Sequence, residues 1–109
     1  MRLPRFSGLL KKRSSPLLLR RVMGESMLPG LPHGRVILAA TWPRRIRSGD
    51  VVIIRHNGLE KIKRVREIGE GGIFVVGDNP AESTDSRTFG RLPPSAVIAK
   101  VIWPRASHH

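Results

Sequence analysis

Cysteine is absent from this 109-residue chain. That removes disulfides and thiolate metal ligands from consideration and is compatible with any compartment. Aromatic residues make up only 5% of the sequence, so the interleaved rings on which successive nucleobases stack are missing. Acidic residues are also few, eight against twenty basic, and the formal net charge is +12. Long apolar runs are lacking near the N-terminus, where Gly8–Leu10 and Pro16–Leu19 are each cut off by lysine or arginine. A spanning helix needs about 20 apolar residues and a signal-peptide core about 7–15. The chain as written is therefore expected to be cytoplasmic, at most peripheral to a membrane. Paired histidine or carboxylate spacing for a metal is missing too, and no metal or cofactor is expected.

What is present is unevenly spread. Residues 1–21 hold seven of the basic side chains and none of the acidic ones. The excess charge thus sits in an N-terminal arm, expected to be poorly ordered. An anionic membrane surface is the partner such an arm best suits, and specific nucleic-acid recognition is not expected. Three parts follow: the arm (1–21), a core (22–104) and a short tail (105–109).

The core reads as short strands punctuated by Gly, Pro and Asp. Arg35–Trp42 forms one, and the β-branched run Val51–Ile54 has the character of a strand buried on both faces. Asn57-Gly58 is a hairpin signal that leads into Glu60–Glu67 as the next strand. Ile73–Val76 is another, a polar loop spans Ala81–Gly90, and Ala96–Trp103 is the last strand. Five or so closely spaced strands with almost no helical period predict a small, mostly antiparallel β fold.

Within it, Gly24-Glu25-Ser26-Met27-Leu28-Pro29 places a serine in a bend, where its hydroxyl and backbone N–H can meet a substrate together. A serine needs a base to become a nucleophile. A triad of Ser26, His56 and Asp50 is conceivable, but His56 belongs to a hairpin turn and reads as solvent-exposed. Lys63 is the better candidate. Burial between Ile62 and Val65, with Arg64 beside it, is expected to lower its pKa enough for it to act neutral.

The boxes Gly24–Pro29, Ser48–Val52, Ile62–Val65, Gly77–Asn79 and Ser83–Gly90 occur in an order that resembles the type I signal peptidase family of Ser/Lys proteases. The resemblance covers Val22 to Trp103. It implies a barrel-like β catalytic core with Ser26 as nucleophile and Lys63 as general base. Ser26 N–H becomes an oxyanion donor, and Ser83 orients the lysine. Met27 and Leu28 line the substrate pocket, while Asp78, Asn79, Asp85 and Arg87 support the site. Gly24 stands where some members carry a serine as second oxyanion donor, so here the hole is left to backbone or water.

Only thirteen residues separate Lys63 from Gly77, too few for the large second domain of many bacterial members. With no anchor ahead of Ser26, the pattern is most similar to the nickel-type superoxide dismutase maturation proteases, which implies a leader-bearing precursor as partner. The alternatives are a general signal peptidase acting on secreted preproteins and, from another class, a non-catalytic basic β-module that binds nucleic acid or anionic membrane. A self-cleaving repressor shares the chemistry but needs a DNA-binding domain that a 21-residue arm cannot supply.

Overall fold

The computed structural model describes residues 16–41 and 45–105; the expectations for residues 1–15, 42–44 and 106–109 lie outside the described residues. The described residues form six strands: β1 (Leu17–Arg21), β2 (Val36–Ala40), β3 (Val51–His56), β4 (Leu59–Gly69), β5 (Gly72–Val76) and β6 (Val97–Trp103). They form one antiparallel sheet in the order β1-β2-β6-β3-β4-β5. The mostly β architecture follows the sequence pattern. Asn57 and Gly58 take the paired positive φ values (53° and 78°) that a two-residue hairpin turn demands, which sets β3 and β4 in register.

Two elements depart from expectation. Leu17–Arg21, which the charge count assigns to a poorly ordered arm, is an edge strand paired residue for residue with β2. Leu18 is half-buried and packs on the core while Leu17 and Leu19 face outward, a period-2 pattern hidden beneath the arginines. The loop at Ala81–Gly90 contains a helical turn, α1 (Ser86–Phe89), whose start is capped by the Asp85 carboxylate accepting from Arg87 N.

β3 is buried on both faces, as its β-branched run predicts. Val51 and Ile53 join Val22, Met27, Leu31, Ile37, Ala39 and Ala99 in one cluster. Val52 and Ile54 join Val65, Ile73, Val75 and Leu92 in the other. The sheet is also curled. Arg20 of β1 reaches Glu60 at the start of β4 (Nε to Oε1, 2.8 Å), although β1 and β4 are far apart in strand order. Side chains, not a backbone ladder, bridge this seam, and the groove along it holds the candidate site. Among the described residues no helix is long and apolar enough to cross a membrane.

Candidate active site

β1 runs into an excursion, residues 22–35, that carries Ser26. Val22 and Arg35 close its neck (Val22 N to Arg35 O, 2.8 Å; Gly34 N to Val22 O, 2.8 Å). Met27 and Leu31, one helical turn apart (Leu31 N to Met27 O, 2.9 Å), both point into the core and are essentially solvent-free. That leaves Glu25 exposed and Ser26 half-buried on the side facing the groove. From across the sheet Asn79 holds the bend twice: its N–H donates to Ser26 O (2.7 Å) and its Nδ2 to Glu25 O (3.0 Å). Gly24 N–H donates to His33 Nδ1 (2.8 Å), so that amide is already engaged.

Lys63 comes from the middle of β4, paired with Val52 of β3. Its side chain is buried, with 4% of the residue exposed, and its Nζ donates to Ser83 Oγ (2.9 Å). Ser83 Oγ–H in turn donates to Asp85 Oδ2 (2.7 Å). Asp85 is fully buried and heavily hydrogen-bonded. It also accepts from Gly77 N (2.7 Å), from Arg87 N (3.1 Å) and from the Arg87 guanidinium, with which it forms an ion pair. Burial alone would raise the Asp85 pKa. The hydrogen bonds from Arg87, Gly77 and Ser83 overcome that and hold it far below the usual carboxylate range. Arg87 Nη2 also donates to Gly77 O (3.2 Å), which ties the end of β5 to α1.

Gly77 makes this convergence possible. Carrying the β4–β5 register one residue past Arg64↔Val76 sets Gly77 opposite Lys63. A Cβ at Gly77 would collide with Ser83 Oγ, lie 2.6 Å from Ser83 Cβ and lie 2.7 Å from Ser26 O. The missing side chain is the space in which Ser83 meets the lysine and the Ser26 backbone passes.

The Lys63 pKa is lowered, as expected, chiefly because burial penalises the ammonium form. Asp85 opposes the shift, while Lys61 and Arg87 add to it. Arg64 is not the neighbour responsible. Alternation along β4 sends it to the other face, where it grips both Asp78 oxygens (2.9 and 2.8 Å) and donates to Gly49 O (2.7 Å).

The groove is an open cleft of about 530 Å³ between β1 and the first half of β4. Ser26, Met27, Gly24 and Lys63 line it, with Ile53, Ile62 and Thr84 among the others. Leu28 does not. It lies half-buried beyond the turn and leaves the apolar lining to Met27, Ile53 and Ile62. His56 ends β3 half-buried with its ring stacked on Phe89 (centroids 4.1 Å apart), so it is not an exposed turn residue. Asp50 is occupied by Arg47 N (2.8 Å) and Lys100 Nζ (3.2 Å), and no Ser26-His56-Asp50 array forms. The sequence reading missed His33 and the Arg64–Asp78 pair, which carry no local pattern.

Similarity to known proteins points the same way. A family model described as Peptidase S24-like matches residues 3–102. The mitochondrial ATP-independent inner membrane protease subunit 1b of Arabidopsis thaliana is 30% identical over 109 aligned positions, covering 73% of this chain and 64% of that protein. Subunit 1a of the same plant is 33% identical over 115 positions, covering 76% and 68%. The chain thus spans about two thirds of the length of these curated relatives. A match over nearly its whole length, in agreement with the signal-peptidase resemblance of its motifs, means that the chain belongs to the Peptidase S24-like family.

Proposed function

We propose that the chain is a serine endopeptidase in which Ser26 and Lys63 form a catalytic dyad that removes an N-terminal leader or signal segment from a protein precursor. The observation that supports this reading is a buried lysine lining the same cleft as Ser26, with its nitrogen on the Ser83 hydroxyl and, among the described residues, no ion-pair partner. A neutral Lys63 Nζ takes the Ser26 Oγ proton as Oγ attacks the scissile carbonyl. Ser26 N–H stabilises the resulting oxyanion. Collapse expels the new amine, which receives the proton from Lys63, and leaves an acyl-serine. Water then attacks, giving its proton to Lys63. The Ser26 Oγ leaves, recovers that proton, and the carboxyl product departs.

The cleft also suits an extended peptide. Among the described residues β1 pairs only with β2, and residues 59–62 of β4 pair only with β3, so two strand edges face the groove. Met27, Ile53 and Ile62 give the cleft an apolar lining, which suits small apolar side chains near the scissile bond. The relatives' names as inner membrane proteases support a protein substrate.

As first substrate we propose a nickel superoxide dismutase precursor, with secreted preproteins as the other class. Mass spectrometry of the products, with wild type, Ser26→Ala and Lys63→Ala, tests both levels. Loss of cleavage in both variants with the fold intact supports the dyad. An uncut superoxide dismutase precursor removes that substrate, cleavage that survives Ser26→Ala removes Ser26 as the nucleophile, and a wild type that cleaves neither class of precursor favours the non-catalytic basic module.

A further inference from the structure

The excursion that carries Ser26 is laced along its neck, and its last rung is a side chain. Beyond the Arg21↔Val36 pair come the two backbone bonds between Val22 and residues 34–35, and Arg21 Nη1 donates to Gly34 O (2.9 Å). The final rung before the serine is the Gly24 N–H on His33 Nδ1, at 2.8 Å. Gly24 adopts φ +86°, a conformation open chiefly to glycine, and a Cβ there would meet nothing within 4 Å. With no side chain at Gly24 to anchor this peptide two residues before Ser26, the imidazole grips it through the N–H.

We propose, building on the peptidase reading above, that His33 is a positioning residue for Ser26. Its Nδ1 fixes the Gly24 peptide and, through it, the aim of the Ser26 N–H and hydroxyl into the cleft. An imidazole accepts at Nδ1 only when its proton sits on Nε2. The contact therefore requires an acceptor placed two bonds beyond Cβ, and asparagine Oδ1 occupies that same place. Leucine keeps the branching and loses the acceptor. The rung acts on the aim of the reacting serine and does not touch the apolar lining of Met27, Ile53 and Ile62, so its loss lowers kcat more than it raises KM.

The experiment compares wild type, His33→Leu and His33→Asn in two measurements. One is steady-state cleavage of a leader-bearing precursor; the other is amide hydrogen exchange at Gly24 in the free protein, read by NMR. His33→Leu is expected to lower kcat about 5-fold, the loss that one net hydrogen bond represents, with KM within about 2-fold. Its Gly24 amide should exchange faster, and His33→Asn should restore both quantities. The proposal is overturned if His33→Leu turns over like wild type, if His33→Asn falls as far as His33→Leu, or if Gly24 exchange ignores residue 33. Exchange is read without substrate. A wild type that cleaves nothing while Gly24 exchange still follows residue 33 upholds the contact and counts against the peptidase reading.

Discussion

Lys63 and Arg64 are consecutive cations on one strand, both almost fully buried, and their surroundings are opposite. Arg64 lies on one face of β4 with a carboxylate on its fork and a carbonyl behind it. Lys63 lies on the other face with a serine hydroxyl, and the Asp85 carboxylate stands behind that hydroxyl and is already engaged by Gly77 and Arg87. Among the described residues Lys63 has no ion-pair partner. Burying a charge is costly unless it is paired, and an unpaired one sheds its proton more easily. The contrast separates a cation that holds the fold from one that is free to titrate.

The sharpest way to break the contrast is to give Lys63 the chemistry of its neighbour. Lys63→Arg keeps a positive charge but cannot lose its proton at working pH. Turnover is expected to fall about 10³-fold, measured by product formation under saturating substrate. The reverse change strikes stability first. Arg64→Met strands the Asp78 carboxylate and should cost about 3 kcal/mol in urea unfolding.

Gly77→Ala attacks the space between the two faces. Its Cβ must push aside Ser83 or the Ser26 carbonyl, so about 2 kcal/mol of stability and roughly 10-fold in kcat are expected to go. The mildest test tunes the lysine without touching it. Lys61 helps lower the Lys63 pKa, so Lys61→Ala should raise it. The rising limb of kcat/KM against pH, which marks Lys63 becoming neutral, then moves to higher pH by about half a unit. A shift to lower pH contradicts the assignment of that limb to Lys63.

Local pattern carried most of the strands. Val51–Ile54, Ile73–Val76 and the Asn57-Gly58 turn are legible because a buried β-branched run and a left-handed turn are properties of adjacent residues. The boxes around Ser26, Lys63 and Asp85 were legible as motifs in order. The fate of β1 was not, because five residues with two arginines count as a charged arm until β2 offers them an edge. Arg64 was assigned to the lysine's side because adjacency in sequence was read as adjacency in space, and a strand puts neighbours on opposite faces. Leu28 was drawn into the pocket by the same reasoning along the turn. The Gly24–His33 contact joins residues nine apart along the 22–35 excursion, a path that no short pattern specifies.

The strand order has a consequence for when this molecule becomes itself. β1 and β2, which flank the Ser26 excursion, make up one side of the sheet, while β3, β4 and β5, which hold Lys63, make up the other. β6 is the last strand in the chain and is hydrogen-bonded to both β2 and β3. A two-stranded ribbon is marginal on its own in water. During synthesis no backbone ladder therefore joins the Ser26 side of the sheet to the Lys63 side until the segment Val97–Trp103 has left the ribosome and slid between them. The sheet is in this sense completed from its middle, and the two sides that flank the cleft are brought into register by the last of these six strands to arrive.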